Sequence, residues 1–191
     1  MPKLGMEPIR RAALVKAAIA EIGEVGSLDV TVSRIARRAG VSSALAHHYF
    51  GGKDDLLLAA MRHILGIYGA CVRAELARAG TPRARLDALV RASFGPENFA
   101  PATVSAWLSF YVHAQSSAGA RRLLTIYQRR LASNLIHDLR PLAGARAPDI
   151  ATTLAATIDG LYIRHALGGE PDGAAAAARV TGLIDRLLER P

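Results

Sequence analysis

The chain reads as an all-α protein, with a small three-helix module at the N-terminus and a larger bundle of six helices after it. Three observations predict this. Apolar residues recur at intervals of three and four, no segment alternates as a strand would, and Gly or Pro divides the chain into stretches of helical length. With 191 residues, 51% hydrophobic and 21% charged, the chain can bury a sizeable core, which excludes the disordered and fibrous classes.

The first helix is expected over 8–25. Pro8 suits a first helical position, Ala12, Val15, Ala18, Ile19, Ile22 and Val25 share one face, and Gly26 stops the helix. Next comes TVSRIARRAGVSSALAHHYF, residues 31–50. Val32, Ile35, Ala36 and Ala39 make the apolar stripe of a short second helix, and Thr31 is placed to cap it through its side-chain oxygen. Gly40 stands where a left-handed turn needs a residue without Cβ, Val41 anchors the turn, and Ser42 caps a third helix. Two short helices joined by a tight glycine turn form a helix-turn-helix, whose second helix enters the DNA major groove.

On that recognition helix Ser43, Ala44 and His47 share a face, while Val41 and Phe50 can turn toward a core. Small side chains let the backbone sit deep in the groove, and Ala44 with Leu45 can touch thymine methyls. Thr31, Ser42, His47, Tyr49 and Lys53 can supply donors to phosphates, with Arg34, Arg37 and Arg38 adding positive charge nearby. Residues 1–53 hold eight Lys and Arg against four acids, half of the whole chain's excess of +8, which favours a polyanion as partner.

Beyond Lys53, Asp54 and Asp55 suit a helix N-terminus. Leu57, Ala60, Met61, Ile64, Tyr68, Cys71, Val72 and Leu76 form a long stripe ending near Gly80. Thr81-Pro82, Gly95-Pro96, Pro101, Gly119, Pro141, Pro148 and the cluster from Gly168 to Gly173 punctuate the remainder. Within it the stripes are Leu86, Leu89 and Val90; Val104, Trp107, Leu108 and Tyr111; Leu124, Tyr127, Leu131 and Leu135; Ile150, Leu154, Ile158 and Leu161; and Val180, Ile184 and Leu187. The last two helices, near 149–167 and 173–189, are rich in Ala and suit a bundle interface, and Leu154, Ile158, Ile184 and Leu187 are the expected contacts between two copies.

Catalytic and metal-binding patterns are not expected. The six histidines lack metal-ligand spacing, and adjacent His47 and His48 diverge by roughly 100° on a helix. No Ser or Cys sits in a nucleophile motif, so an enzyme and a cofactor are not expected. Cys71 is alone, no apolar h-region follows Lys3, and no stretch approaches a membrane span, so a cytoplasmic protein is expected.

The segment TVSRIARRAGVSSALAHHYFGGKDDLL resembles the DNA-binding signature of the tetracycline-repressor (TetR) family, with Thr, Ile-Ala, Ala-Gly-Val-Ser, Tyr-Phe and Lys in register. MPKLGMEPIRR, Ala106-Trp107-Leu108-Ser109-Phe110, Arg129-Arg130-Leu131-Ala132-Ser133-Asn134-Leu135 and Ile158-Asp159-Gly160-Leu161-Tyr162-Ile163-Arg164 resemble its choline-responsive repressors of glycine betaine synthesis. The resemblance implies a helix-turn-helix DNA-binding domain over 1–52 and an effector-binding and dimerisation domain over 53–191. It also implies a homodimer on an inverted-repeat operator, and repression of osmoprotectant genes that choline relieves. His47 stands where that family usually has a phosphate-contacting Tyr, and Ala44 where it often has Gly. A repressor answering another small ligand, and a helical interaction protein binding nucleic acid without sequence preference, are the readings left beside it.

If choline is the effector, aromatic faces are needed, because a quaternary ammonium donates no strong hydrogen bond. Trp107, Phe110 and Tyr111 fall at i, i+3 and i+4 of one helix, Tyr127 and Tyr162 are further candidate walls, and Asp159 is a candidate counter-charge. Trp107 and Tyr111 also lie on that helix's apolar stripe, and Asp159 could instead pair with Arg164 or cap a kink at Gly160.

Overall fold

The computed structural model describes residues 5–168 and 172–189, so Lys3 and the middle of the Gly168 to Gly173 cluster, residues 169–171, lie outside the described residues. The described residues form nine α-helices and no strand. They are α1 (Met6–Val25), α2 (Val32–Arg38), α3 (Ser43–Phe50), α4 (Lys53–Ala77), α5 (Pro82–Ser93), α6 (Pro101–His113), α7 (Ala118–Ala143), α8 (Ala147–Leu167) and α9 (Gly173–Glu189). Short 3-10 turns at Pro96–Phe99 and Gly144–Arg146 lead into α6 and α8.

The caps expected of the second and third helices are present. The Thr31 hydroxyl accepts from the Arg34 amide at 3.2 Å and the Ser42 hydroxyl from the Leu45 amide at 3.2 Å, each satisfying an amide that a helix start leaves without a partner. Gly40 takes the left-handed conformation, φ 67°, and the Val41 amide then bonds back to the Ala36 carbonyl at 3.0 Å, closing the turn between α2 and α3.

The helices gather into two compact units. One comprises residues up to Leu65 together with Ala100–Arg121; the other comprises Gly66–Phe99 and everything from Arg122 onward. In the first unit α1 packs on α2, α3 and α6. Its approach to α6 is close: a Cβ on Gly23 would stand 2.6 Å from that of Ala102, so only glycine fits. In the second unit α8 packs on α9, and α5 also lies against α9.

Several expected faces are rotated. On α1 the buried residues are Leu14, Ala17, Ala18, Glu21 and Ile22, whereas Ala12 is exposed. The apolar pattern misplaces this face because a carboxylate, Glu21, sits at its centre. On α6 the buried set is Ala106, Trp107 and Phe110, not the stripe through Leu108 and Tyr111, since a helix apolar on most sides does not mark its own inner face. Gly119 and Pro141 do not interrupt the chain as expected; both lie inside α7. Pro141 falls in the last turn, where it removes the amide that would bond back to the carbonyl of His137, and the helix ends two residues later.

Two further corrections bear on function. The 25-residue α4, with an 18-residue window of mean hydropathy 1.4, is long and apolar enough by length and composition to cross a membrane, against the expectation that nothing approaches a span. Its Leu56, Leu57, Leu58, Ala60, Met61, Ile64 and Val72 are instead buried within the chain. Leu154, Ile158 and Ile184, expected between two copies, are buried within one chain at 0–1% exposure, so they complete the protomer's own core. Leu187 is half-buried.

Candidate DNA-reading surface and effector residues

Thr31, Ser42, Ala44 and His47 are exposed, and Ser43, Leu45, Tyr49 and Lys53 are half-buried. Both capping hydroxyls accept from the backbone, which leaves each hydroxyl proton to donate outward. Ser43 is more constrained: its hydroxyl meets that of Ser33 on α2 at 3.1 Å, which fixes the side chain on the α2 side of α3. Ala44 presents a methyl group only. The recognition helix is therefore small and uncharged at its leading turn, as the sequence implies.

His47 lies one turn further on, its Nδ1 3.3 Å from the Gly51 carbonyl. With the proton on Nδ1 the neutral ring presents Nε2 as an acceptor, so it donates to a phosphate from Nε2 only when protonated. The Arg11 guanidinium stands 5.2 Å from the centroids of both Tyr49 and Phe50, a cation–π contact that anchors the end of α3 to α1. Lys53 opens α4 and has no carboxylate partner among the described residues.

The three arginines of α2 do not contribute equally, and here the sequence reading needs correcting. Arg34 bonds Glu21 at 2.9 Å and Arg38 bonds it at 2.7 Å, while Arg38 also meets Glu24. Glu21 is only 5% exposed beneath them. The Arg38 hydrogen bond, aided by the Arg34 and Arg38 charges, holds its carboxyl below the usual glutamate range. Two positive charges are thus neutralised inside the head, and of the three only Arg37 stands without an acid among the described residues. The ion triad is a signal that sequence reading missed: a glutamate at the centre of an apolar face is one that something must pair.

The effector candidates are distributed along the chain. Trp107, Phe110 and Tyr111 form one aromatic cluster in the first unit, with ring centroids 6.1 Å from Trp107 to Phe110 and 5.7 Å from Trp107 to Tyr111. Phe110 is 2% exposed and borders a cavity of about 10 Å³, room for one water and not for a ligand, shared with Ile22, Leu28, Leu57, Leu58, Met61 and His113. In the second unit the Tyr127 hydroxyl donates to Asp159 at 2.7 Å. Asp159 therefore bonds a tyrosine rather than Arg164. Tyr162 donates to the Asn98 carbonyl at 2.8 Å, and its ring lies 5.3 Å from Phe99, so it ties α8 to the turn before α6.

One residue of the second unit escapes the sequence reading as an effector candidate. Tyr68 of α4 sets its ring 5.9 Å from that of Tyr127, and its hydroxyl meets the Ser93 hydroxyl at 3.0 Å. In the sequence it stands out only as one member of a long apolar stripe. Burial pushes the Tyr68 phenol up to about 12 and raises the Asp159 carboxyl above its ordinary value, although the Tyr127 hydrogen bond pulls Asp159 the other way. The result is a pair of aromatic rings near a carboxylate that has no ion-pair partner among the described residues.

The family of bacterial regulatory proteins of the tetR type matches residues 14–60, and the C-terminal domain of BetI-type transcriptional repressors matches residues 82–189, more than half of the chain. The chain belongs to the TetR family. Full-length relatives agree. The HTH-type transcriptional regulator BetI of Brucella anthropi is 57% identical over 186 residues, covering 96% of both chains. BetI of Rhizobium meliloti is 54% identical over 182 residues, 95% of this chain and 90% of that one. Among solved structures, a Pseudomonas aeruginosa transcriptional regulator superposes with a TM-score of 0.86 at 27% identity, covering 98% of this chain and 94% of its own. A Saccharomonospora viridis regulator crystallised in complex with choline has the same fold, with a TM-score of 0.77 at 24% identity over 92% of this chain and 95% of its own. This TetR-family chain is thus a helix-turn-helix transcriptional regulator whose C-terminal part matches the BetI type.

Proposed function

We propose that this TetR-family chain is a cytoplasmic, dimeric repressor of the genes that convert choline to glycine betaine, and that choline releases it from an inverted-repeat operator. The division of labour falls near residues 52 and 53, with reading before it and effector binding and dimerisation after it. Ser43 and Ala44 set sequence preference. Leu45 contacts thymine methyls, and Thr31, Ser42, His47, Tyr49 and Lys53 take phosphates. The observation that carries the operator reading is the capped α2-turn-α3 unit with its small, uncharged leading face.

The effector assignment rests on Tyr127 and Asp159, which meet at 2.7 Å, with Tyr68 beside them. An ammonium without N–H groups is held by aromatic faces and a counter-charge, and a raised, half-desolvated carboxyl gains most from such a cation. Tyr162 remains in the proposal as a further wall, with its Asn98 bond giving it a structural duty as well, while Trp107, Phe110 and Tyr111, the other effector candidates of the sequence, form an aromatic cluster within the first unit. The relatives' BetI name and the choline-bound protein of the same fold support the ligand class. At a ceiling of about −1.5 kcal/mol per heavy atom, a ligand as small as choline binds no tighter than about −10 kcal/mol, which suits a metabolite sensor.

Choline relieves repression only if it binds the DNA-incompetent arrangement more tightly than the competent one. For the dimer, the exposed face of α8 and α9 replaces the buried leucines and isoleucines. Thr153, Ala156 and Gly160 are exposed on α8, as are Ala174 and Ala178 on α9, and nothing lies within 4 Å of a Cβ built on Gly160. A mid-helix glycine facing open space costs about 1 kcal/mol against alanine, which close approach of a second helix would offset. The deciding experiment is calorimetry of the intact protein with choline and with its neutral carbon isostere, alongside gel shifts on the operator with and without each. Choline alone should bind and release DNA. Equal heats from both ligands, or operator release by neither, would overturn the choline reading.

A further inference from the structure

We propose that the exposed face of α7 is a second nucleic-acid surface, which takes the phosphate backbone of double-stranded DNA without regard to sequence. Arg122, Arg129, Arg130 and Arg140 are all exposed along this helix. At about 100° and 1.5 Å per residue they fall within roughly a quarter-turn of the helix surface and run for about 27 Å, with exposed His137 between them.

None of the four has a carboxylate within 4.0 Å among the described residues. Elsewhere in the same unit Arg78, Arg83, Arg85 and Arg91 each reach an acid. The one acid on α7, Asp138, cannot serve the stripe: it is 1% exposed, and its Oδ1 accepts from Arg85 Nε at 2.7 Å and lies 2.8 Å from His137 Nδ1.

The occupant follows from chemistry. A guanidinium is a planar fork that matches phosphate oxygens, and a row of them suits a polyanion of regular spacing. Duplex DNA carries a phosphate about every 3.4 Å of rise on each strand, so a stripe of about 27 Å runs beside about eight of them. A lipid surface fits less well, because a helix lying in a bilayer interface needs large apolar residues opposite its charges, and here Leu131, Leu135 and Leu139 are buried in the unit. The stripe lies on a different helix from α3 and in the other unit, and it adds a sequence-independent contact to the operator contact, so that one repressor holds two duplexes.

The test uses the full-length protein and the variant Arg122→Gln, Arg129→Gln, Arg130→Gln, Arg140→Gln, with a control that removes four charges elsewhere, Arg62→Gln, Arg73→Gln, Arg179→Gln, Arg186→Gln. Protein saturated with immobilised operator is offered a labelled operator-free duplex over a range of salt. The wild type and the control should retain the second duplex, and the α7 variant should retain at least tenfold less of it while circular dichroism and operator binding stay unchanged. On operator-free duplex alone, the slope of log affinity against log salt should drop by about two to four units, near 0.9 for each phosphate that the variant no longer neutralises. Failure of the wild type to hold a second duplex, an equal reduction in the control, or tighter retention of polyglutamate or of anionic vesicles than of duplex would overturn the proposal. A protein that ignores the operator but still binds plain duplex through α7 would refute the repressor reading and leave this one standing.

Discussion

Two helices of this chain carry several arginines, three in the 7 residues of α2 and five in the 26 of α7, and differ in what holds the charge. In α2, Arg34 and Arg38 close on Glu21 and Glu24, so of its three charges only that of Arg37 is left without an acid among the described residues. In α7, four exposed arginines face solvent with no acid of their own among the described residues. The composition of a segment counts charges, whereas pairing decides how many of them a partner can meet. On the proposed reading the head meets DNA with caps, methyl groups and a few donors, Arg37 and Lys53 among them without an acid, and α7 carries four more unpaired cations among the described residues.

The same contrast between what is held and what is presented divides α8, and this yields the largest expected effect. Ile158→Asp places an unpaired charge in a site that is 1% exposed and should cost about 3–5 kcal/mol, seen as loss of the folded protomer in thermal melts. Gly160→Leu, on the open face, should leave the fold intact and convert the dimer to monomer in sedimentation. A folded Ile158→Asp dimer, or a Gly160→Leu dimer, would erase the distinction.

Glu21→Gln would make α2 resemble α7. It removes the acid that Arg34 and Arg38 share, leaving Arg34 unpaired and Arg38 with Glu24 alone, so the melting temperature should fall while affinity for operator-free DNA rises. Because the folded carboxyl of Glu21 is depressed, its contribution to stability is present above the ordinary glutamate value and disappears as pH falls through the lower, folded one. The Gln variant should therefore lose part of the acid-side slope of stability against pH. Unchanged melting together with unchanged non-specific affinity would mean that the pairing does not restrain α2.

Asp159 is a charge held back by burial rather than by a cation. Its raised carboxyl keeps the proton to higher pH than an exposed aspartate. This favours the folded state below the ordinary value, and the gain is lost as pH rises through the folded one. A cation binds the ionised form, so choline affinity should weaken on acidification through that window and should release a proton. Asp159→Asn should cut affinity about tenfold, near 1.4 kcal/mol, and remove the pH dependence in calorimetry. Retention of both would take Asp159 out of the site. The smallest expected effect belongs to Lys53→Ala, which should weaken all DNA evenly and lower the salt slope by about one unit in fluorescence anisotropy. A change confined to the operator would assign Lys53 to base reading instead.

Local chemistry made the head legible. Thr31, Gly40 and Ser42 do their work within four residues of themselves, through caps and a left-handed turn, so their order along the chain is sufficient to place α2 and α3. The helical class and the family signature were legible for the same reason, since a period of 3.6 and a compact motif are properties of adjacent residues.

What only the tertiary structure decided are pairings across long sequence separations and the choice of inner face. Glu21 meets Arg34 and Arg38 from another helix, Tyr127 finds Asp159 thirty-two residues away, and Tyr68 joins them from α4. Leu154, Ile158 and Ile184 belong to apolar stripes that either a protomer core or a second copy could bury, and Phe110 lies on a helix apolar on most sides. The sequence by itself determined the helices, their order and the reading turn, because hydrogen bonds and caps act over one turn of chain. Which face turns inward, and which charge is neutralised, depends on what another helix places opposite it, and that is a property of the packed chain alone.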